Sequence, residues 1–322
     1  MFSVFSVAIT KKSVNSVAKN NKFTLWLKET RPQFCTASII PVLVGTALAY
    51  SHTQRFDLLL FLLASASIAL FQMGANVSND YFDSKSKNDW LNKNPTPFSG
   101  GAQIIQKNLL TPKQVLIGSL VLFASGAILG LIIILLTKSL LVLSLGIIGL
   151  LGAFFYTAPP IKLGYRTAGE ITIGFLFGVL PVYGAYYIQT GIIDFVPLLP
   201  SIFIALLIFL VIFANEFPDY PADKAVNKKT LVVTLGIKKA SVLYKTILFL
   251  LLVIALFTAE NSFKGRAFFM VTTFLTVSCF KTCDPEKLSR PGYTALSKST
   301  IMLHTISGAA LAAAVLAASV FQ

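Results

Sequence analysis

Val115 to Leu136 reads VLIGSLVLFASGAILGLIIILL, an apolar run without a charge or a proline. About 20 such residues, coiled into a helix, cross the roughly 30 Å hydrocarbon core of a bilayer. The run is apolar on every face, so it is no amphipathic surface helix, and it lacks the alternation of a barrel strand. Helices and closed barrels are the two structures that satisfy their backbone in lipid, and this pattern selects the helix.

The same pattern recurs outward from this stretch, at 34–51, 58–79, 139–157, 168–189, 196–217, 241–258, 266–280 and 300–321. The 322 residues are 55% hydrophobic and 12% charged, with a mean hydropathy of +0.75. A soluble domain carries about 25% charged residues, so a soluble enzyme and a disordered chain are excluded. Three cysteines, Cys35, Cys279 and Cys283, make no disulfide framework. The expected fold is an all-α membrane protein of nine transmembrane helices occupying residues 34–322, behind a basic segment of residues 1–33.

The net charge of +14 is topological and does not indicate nucleic acid. Of the 27 basic residues, 23 fall at one set of alternating loops and 4 at the other. The positive-inside rule then puts the N-terminus and the polar loops at about 80–114 and 218–240 in the cytoplasm, and the C-terminus outside. A multi-pass protein of a bacterial inner membrane is expected. Residues 1–33 are Ser- and Lys-rich with no acid before Glu29. That composition occurs in transit peptides, but a cytoplasmic basic flank accounts for it more simply.

Acids near a membrane are costly and therefore informative. Five of the 13 lie in two clusters, NVSNDYFD (Asn76 to Asp83) and NEFPDYPAD (Asn215 to Asp223). Asn76, Asn79, Asp80 and Asp83 stand at i, i+3, i+4 and i+7, one helix face; Asn215, Asp219 and Asp223 form a second stripe at i, i+4 and i+8. Pro218 and Pro221 are expected to bend or unwind the second. The shared Asn-x-x-x-Asp-Tyr pattern hints at an internal repeat directing two carboxylate groups into one cavity. Mg²⁺ prefers a few carboxylates, waters and substrate phosphates. With Lys85 and Lys87 after the first cluster and Lys224, Lys228 and Lys229 after the second, the pattern describes a metal–diphosphate site.

Elsewhere the signals are weak. His52 and His304 lack metal-ligand partners in sequence, and Cys279 and Cys283 lack zinc spacing. The glycines of the third to fifth spans read as helix contacts, and Gly100-Gly101 as a turn. A secondary transporter also combines repeats with buried acids, but here the acids sit at the cytoplasmic edge.

In combination, four blocks resemble the UbiA-type intramembrane prenyltransferases, in particular the branch acting on 1,4-dihydroxy-2-naphthoate in menaquinone synthesis. They are TRPQFCTASIIPVLVGTALAY from Thr30, the two Asp-rich clusters (the second continuing to KAVNKKTLVVTLG), and YTAPPIK from Tyr156 followed by GAYYIQTG from Gly184. The resemblance covers roughly residues 28–260. It implies a helical bundle around a central cavity, with Mg²⁺–diphosphate near the cytoplasmic mouth and an isoprenoid tail toward lipid. It assigns Asn76, Asn79, Asp80, Asp83, Asp219 and Asp223 to metal and diphosphate, the four Asp being catalytic, with Asn215 beside them. It adds Tyr156, Lys162 and Lys229 at the diphosphate end. The implied partners are a prenyl diphosphate and an aromatic acceptor, 1,4-dihydroxy-2-naphthoate or, alternatively, 4-hydroxybenzoate or another aromatic or lipid. The loop from Asn94 to Gln103 departs from the family pattern by lacking its Asp-Arg pair.

Overall fold

The computed structural model describes residues 22–259 and 263–319; the transit-peptide question and the location of the C-terminus lie outside them. A short helix α1 (Lys22–Thr30) precedes α2 (Thr36–Thr53), α3 (Leu58–Lys85), α4 (Pro112–Thr137) and α5 (Leu140–Phe155). Then follow α6 (Gly169–Thr190), α7 (Leu198–Ala225), α8 (Leu231–Thr258), α9 (Phe263–Thr282) and α10 (Ala295–Ser319).

The starts of these helices follow from the sequence. Asp57 accepts the Leu60 N–H ahead of α3, Ser139 that of Val142 ahead of α5, and Thr230 that of Val233 ahead of α8. Thr111 and Gln114 form a reciprocal capping box, with Pro112 at the first position of α4. Such caps satisfy amides that have no partner within the helix.

Each expected span falls on one of α2 to α10, but fewer than nine of these helices have the length and composition of a span. By length and composition, six helices among the described residues can cross a membrane, or seven if α2 and the segment before it, bent by 49°, form one span. α5 has 16 residues, about 24 Å of helix, and α9 carries Lys264, Arg266 and Lys281. Both fall short of a free-standing span.

α7 is the centre of the bundle, packed on α6, α8 and α10. Its Phe203, Phe213 and Phe217 are fully buried with Tyr186 of α6 and Tyr244 of α8. Of the two outcomes expected at Pro218 and Pro221, unwinding does not occur, and α7 is helical through both. Pro218 has no N–H for the Ala214 carbonyl, and the Ser297 hydroxyl of α10 donates to that oxygen instead, at 3.3 Å. α8 breaks at Gly236, whose φ of 73° lies in the left-handed region.

The glycines of α4 to α6 also divide. A Cβ at Gly126 would lie 2.7 Å from Phe71, and one at Gly152 would lie 2.6 Å from Leu176. These two are contacts. At Gly146 a Cβ would meet nothing within 4 Å, and at Gly149 and Gly184 it would meet one leucine methyl at 4.0 and 3.9 Å. These three are not helix contacts. They line an apolar cleft of about 290 Å³ between α3, α4, α5 and α6.

Candidate active site

The two stripes converge. Gln72, Asn76, Asn79 and Asp83 of α3 face Ile208, Ile212, Asn215, Glu216, Asp219 and Asp223 of α7 across a cavity of about 180 Å³. Steps of three or four residues keep each series on one helix face. The cavity is polar at the loop end and apolar at its floor, where Ile173 and Phe177 of α6 and Ala153 of α5 close it. Ala153 and Phe177 also line the apolar cleft, so the two spaces meet there.

A loop and two cations cover the polar end. Asn88 donates to Asp223 at 2.7 Å, Asn92 to Asp219 at 2.9 Å and the Gly100 N–H to Asp219 at 3.2 Å. Gly100 and Gly101 have φ of 77° and 67°, a turn as expected. They also permit close approach: a Cβ on Gly101 would lie 2.6 Å from Asp89 Oδ2. Lys228 pairs with Asp83 at 3.1 Å and Asp223 at 3.6 Å. Burial opposes its charge, but Asp223 and Asp83 outweigh that and hold the ammonium well above the usual lysine range. Tyr165 donates to Asp83 Oδ1 at 2.7 Å; burial and then the Asp83 charge raise its phenol above the usual range.

Asn76, Asn79, Asp83, Asn215, Asp219, Asp223 and Tyr156 line the cavity. Asp80 instead accepts from Arg31 at 3.3 Å and from the Ala102 N–H at 2.7 Å, tying the N-terminal segment and the covering loop to α3. Lys162 and Lys229 lie outside the lining. Lys162 Nζ sits 5.2 Å from the Tyr165 ring centre, and Lys229 is exposed, its N–H donating to the Tyr165 carbonyl.

Three charged cavity residues have no role in the sequence reading, Arg31, Asp89 and Glu216, and Lys228 was named there only among the lysines that follow the second cluster. Lys228 and Glu216 stand within quoted motifs, so proximity was a signal for them. Asp89 follows the first motif in a loop without periodicity, and nothing local marks it. Burial, then the Asp83 and Asp80 charges, push its carboxyl well above the usual range.

Among the described residues no three His, Cys, Asp or Glu side chains form a ready-made metal cage, since Lys228 and the loop amides engage the carboxylates. The donor set nevertheless fits a hard divalent cation. The lining offers oxygen ligands from Asn79, Asp83, Asp89, Asp219 and Asp223, and Asp89 Oδ2 is buried without a hydrogen-bond partner.

Residues 38–285 match the UbiA prenyltransferase family. The chain belongs to that family. Among UbiA relatives, the 1,4-dihydroxy-2-naphthoate octaprenyltransferase of Mycobacterium tuberculosis is 33% identical over 70% of this chain and 75% of its own length. The Bacillus subtilis protein of the same name is 34% identical over 67% of each chain. The structure of a UbiA homologue from Archaeoglobus fulgidus bound to GPP and Mg²⁺ superposes with a TM-score of 0.66 at 14% identity, covering 91% of this chain and 99% of the homologue. An apo UbiA homologue from Aeropyrum pernix gives 0.66 at 16% identity, over 88% and 97%. The arrangement is therefore a UbiA fold, and the chain is a membrane-embedded prenyltransferase by family; a transporter is set aside.

Proposed function

We propose that the protein transfers a polyprenyl group from its diphosphate to 1,4-dihydroxy-2-naphthoate, with loss of CO₂, in menaquinone synthesis. The observation that carries this reading is the junction at Ala153 and Phe177 between a polar cavity and an apolar cleft. A prenyl diphosphate has that same duality. Its diphosphate fits among the carboxylates, Lys228 and Arg31, and its tail fits the cleft, whose rim residues Leu131, Leu143 and Ile147 are exposed. The names of the bacterial relatives support the acceptor, and the GPP and Mg²⁺ of the archaeal homologue support the donor class.

Asn76, Asn79, Asp83, Asp219 and Asp223, with Asp89, would hold Mg²⁺ together with the diphosphate. The bound ion would neutralise charge on the leaving group. Lys228, released from Asp83 and Asp223, donates to diphosphate oxygens as the allylic C–O bond breaks. Fixed positive charge in a poorly hydrated cavity lowers that barrier because it needs no reorganisation. Asp80 holds Arg31 and the covering loop in place, which excludes water from the allylic cation. The Tyr156 ring lines the wall beside it, where a π-face attracts positive charge. The same reading keeps nine membrane-crossing segments in a bacterial inner membrane, with this mouth in the cytoplasm; the one-sided basic loops support it.

Purified protein in lipid nanodiscs, given octaprenyl diphosphate, 1,4-dihydroxy-2-naphthoate and Mg²⁺, should release diphosphate and CO₂ in equal amounts. Turnover with 4-hydroxybenzoate but not with the naphthoate would overturn the acceptor assignment.

A further inference from the structure

Glu216 of α7 and Glu170 of α6 are 6% and 1% exposed, and no cation pairs with either among the described residues. Glu170 Oε1 accepts the Leu231 N–H at 2.8 Å, and Glu216 Oε2 accepts the Val232 N–H at 3.3 Å, both in the first turn of α8. The two carboxyl groups thus stand side by side on adjacent amides. Amides at a helix start stabilise negative charge, but two ionised carboxylates in contact repel. Glu170 Oε2 is buried and finds no donor.

Their depth matters as much as their charge. Glu216 lines the cavity three residues inward of Asp219, about 4.5 Å along the helix. It therefore lies between the carboxylates at the mouth and the apolar floor of Ile208 and Ile212. Beside it, Asn215 Oδ1 is buried, lines the cavity and has no hydrogen-bond partner. The titratable and charged groups lining the cavity with Glu216 include Tyr156, Asp219, Asp223 and Lys228.

We propose that Glu216, backed by Glu170, takes the proton from the acceptor hydroxyl during prenyl transfer. This rests on the acceptor being a hydroxyaromatic acid, as proposed above. The acceptor O–H bond breaks, its proton goes to the Glu216 carboxylate, and the electron pair left on oxygen enriches the ring. The carbon bearing the carboxylate attacks the prenyl C1, and diphosphate leaves with the electrons of the C–O bond. The bond to the carboxylate then breaks, CO₂ departs, its electron pair restores the aromatic ring, and the oxygen recovers the proton from Glu216. No external acid, base or oxidant is consumed. Glu216 is thus a catalytic residue, and Glu170 is a positioning residue that acts through it.

The test is Glu216→Gln, which preserves shape and an acceptor for the Val232 N–H. Wild-type and variant rates are compared over hydroxynaphthoates whose halogen substituents make the hydroxyl progressively more acidic. With the unsubstituted acceptor the variant should lose on the order of 10²-fold in kcat, a usual general-base contribution, while binding octaprenyl diphosphate normally. The wild-type to variant ratio should fall toward one for acceptors already ionised at the assay pH. In the variant, the rise of kcat/KM with pH should follow ionisation of the acceptor hydroxyl. Glu170→Gln, which keeps the Glu216 carboxylate, should show a smaller loss with the same dependence on acceptor acidity, and serves if the first variant does not fold. A ratio independent of acceptor acidity, or no loss at all, overturns the proposal and leaves the pair a helix cap. A wild-type protein that prenylates no hydroxyaromatic acid instead overturns the function proposed above.

Discussion

Lys228 Nζ sits 3.1 Å from Asp83 Oδ2, joining residues 145 positions apart. It also reaches Asp223, at 3.6 Å, so one ammonium holds both Asp-rich stripes together at the place where a metal–diphosphate would lie. Its side chain is 15% exposed. A cation so placed stabilises both carboxylates and lies within reach of a phosphate oxygen bound among them.

Lys228→Met should therefore reduce kcat with modest change in KM for the prenyl diphosphate. A charge-assisted hydrogen bond is worth about 1.5–3 kcal/mol, or roughly ten- to more than a hundredfold in rate. If the contact strengthens as the leaving group gains charge, the loss appears in kcat. Steady-state kinetics at saturating Mg²⁺ decides this, and wild-type turnover would remove Lys228 from the leaving group.

Lys162→Met is the contrasting case. Family resemblance assigns Lys162 to the diphosphate, but the structure stacks its ammonium on Tyr165, outside the cavity lining. A cation–π contact at such a site is worth about 0.5–1 kcal/mol. The expected change in kcat is accordingly below about fivefold, and a hundredfold loss would show that Lys162 swings inward when substrate binds.

The carboxylates should separate by role in a Mg²⁺ titration. Asp83→Ala and Asp219→Ala should each nearly abolish turnover and raise the Mg²⁺ needed for whatever activity remains, and chelation with EDTA should silence the wild type. Asp80→Asn should leave that midpoint unchanged and instead lower thermal stability in detergent, because Asp80 is committed to Arg31 and Ala102. A shifted Mg²⁺ midpoint in Asp80→Asn would return Asp80 to the metal.

Gly146→Leu tests where the tail lies. The position faces open space, and replacing an interior helical glycine recovers on the order of 0.5–1 kcal/mol, so the fold should survive. Filling the cleft should disfavour octaprenyl diphosphate relative to geranyl diphosphate at least several-fold in kcat/KM. Gly152→Ala serves as the packing control, since its Cβ would press on Leu176 at 2.6 Å and should lower stability without altering chain-length preference. Equal use of both donors by Gly146→Leu would place the tail elsewhere.

The sequence by itself determined the helices, their approximate limits and the two stripes, because each depends on short-range order. Apolar runs of about 20 residues specify helices in lipid. A 3.6-residue period specifies which of their side chains share a face, so Asn79, Asp83, Asp219 and Asp223 could be named as one site. The unwinding expected as one outcome at Pro218 is absent, and the group that donates to the Ala214 carbonyl there, Ser297, is 83 positions from Ala214. Tertiary structure alone decided which lysine enters the cavity. Lys228 and Lys229 are adjacent in sequence, and Asn227, in the left-handed region at φ 56°, turns the chain so that the Lys228 N–H returns to the Asp223 carbonyl at 2.9 Å. That turn puts Lys228 over the carboxylates and leaves Lys229 outside. Asp89 and Glu170 were equally unreadable, since a loop has no period and the Glu170–Glu216 contact joins two helices. Their placement is fixed by packing between distant segments, on which local periodicity is silent.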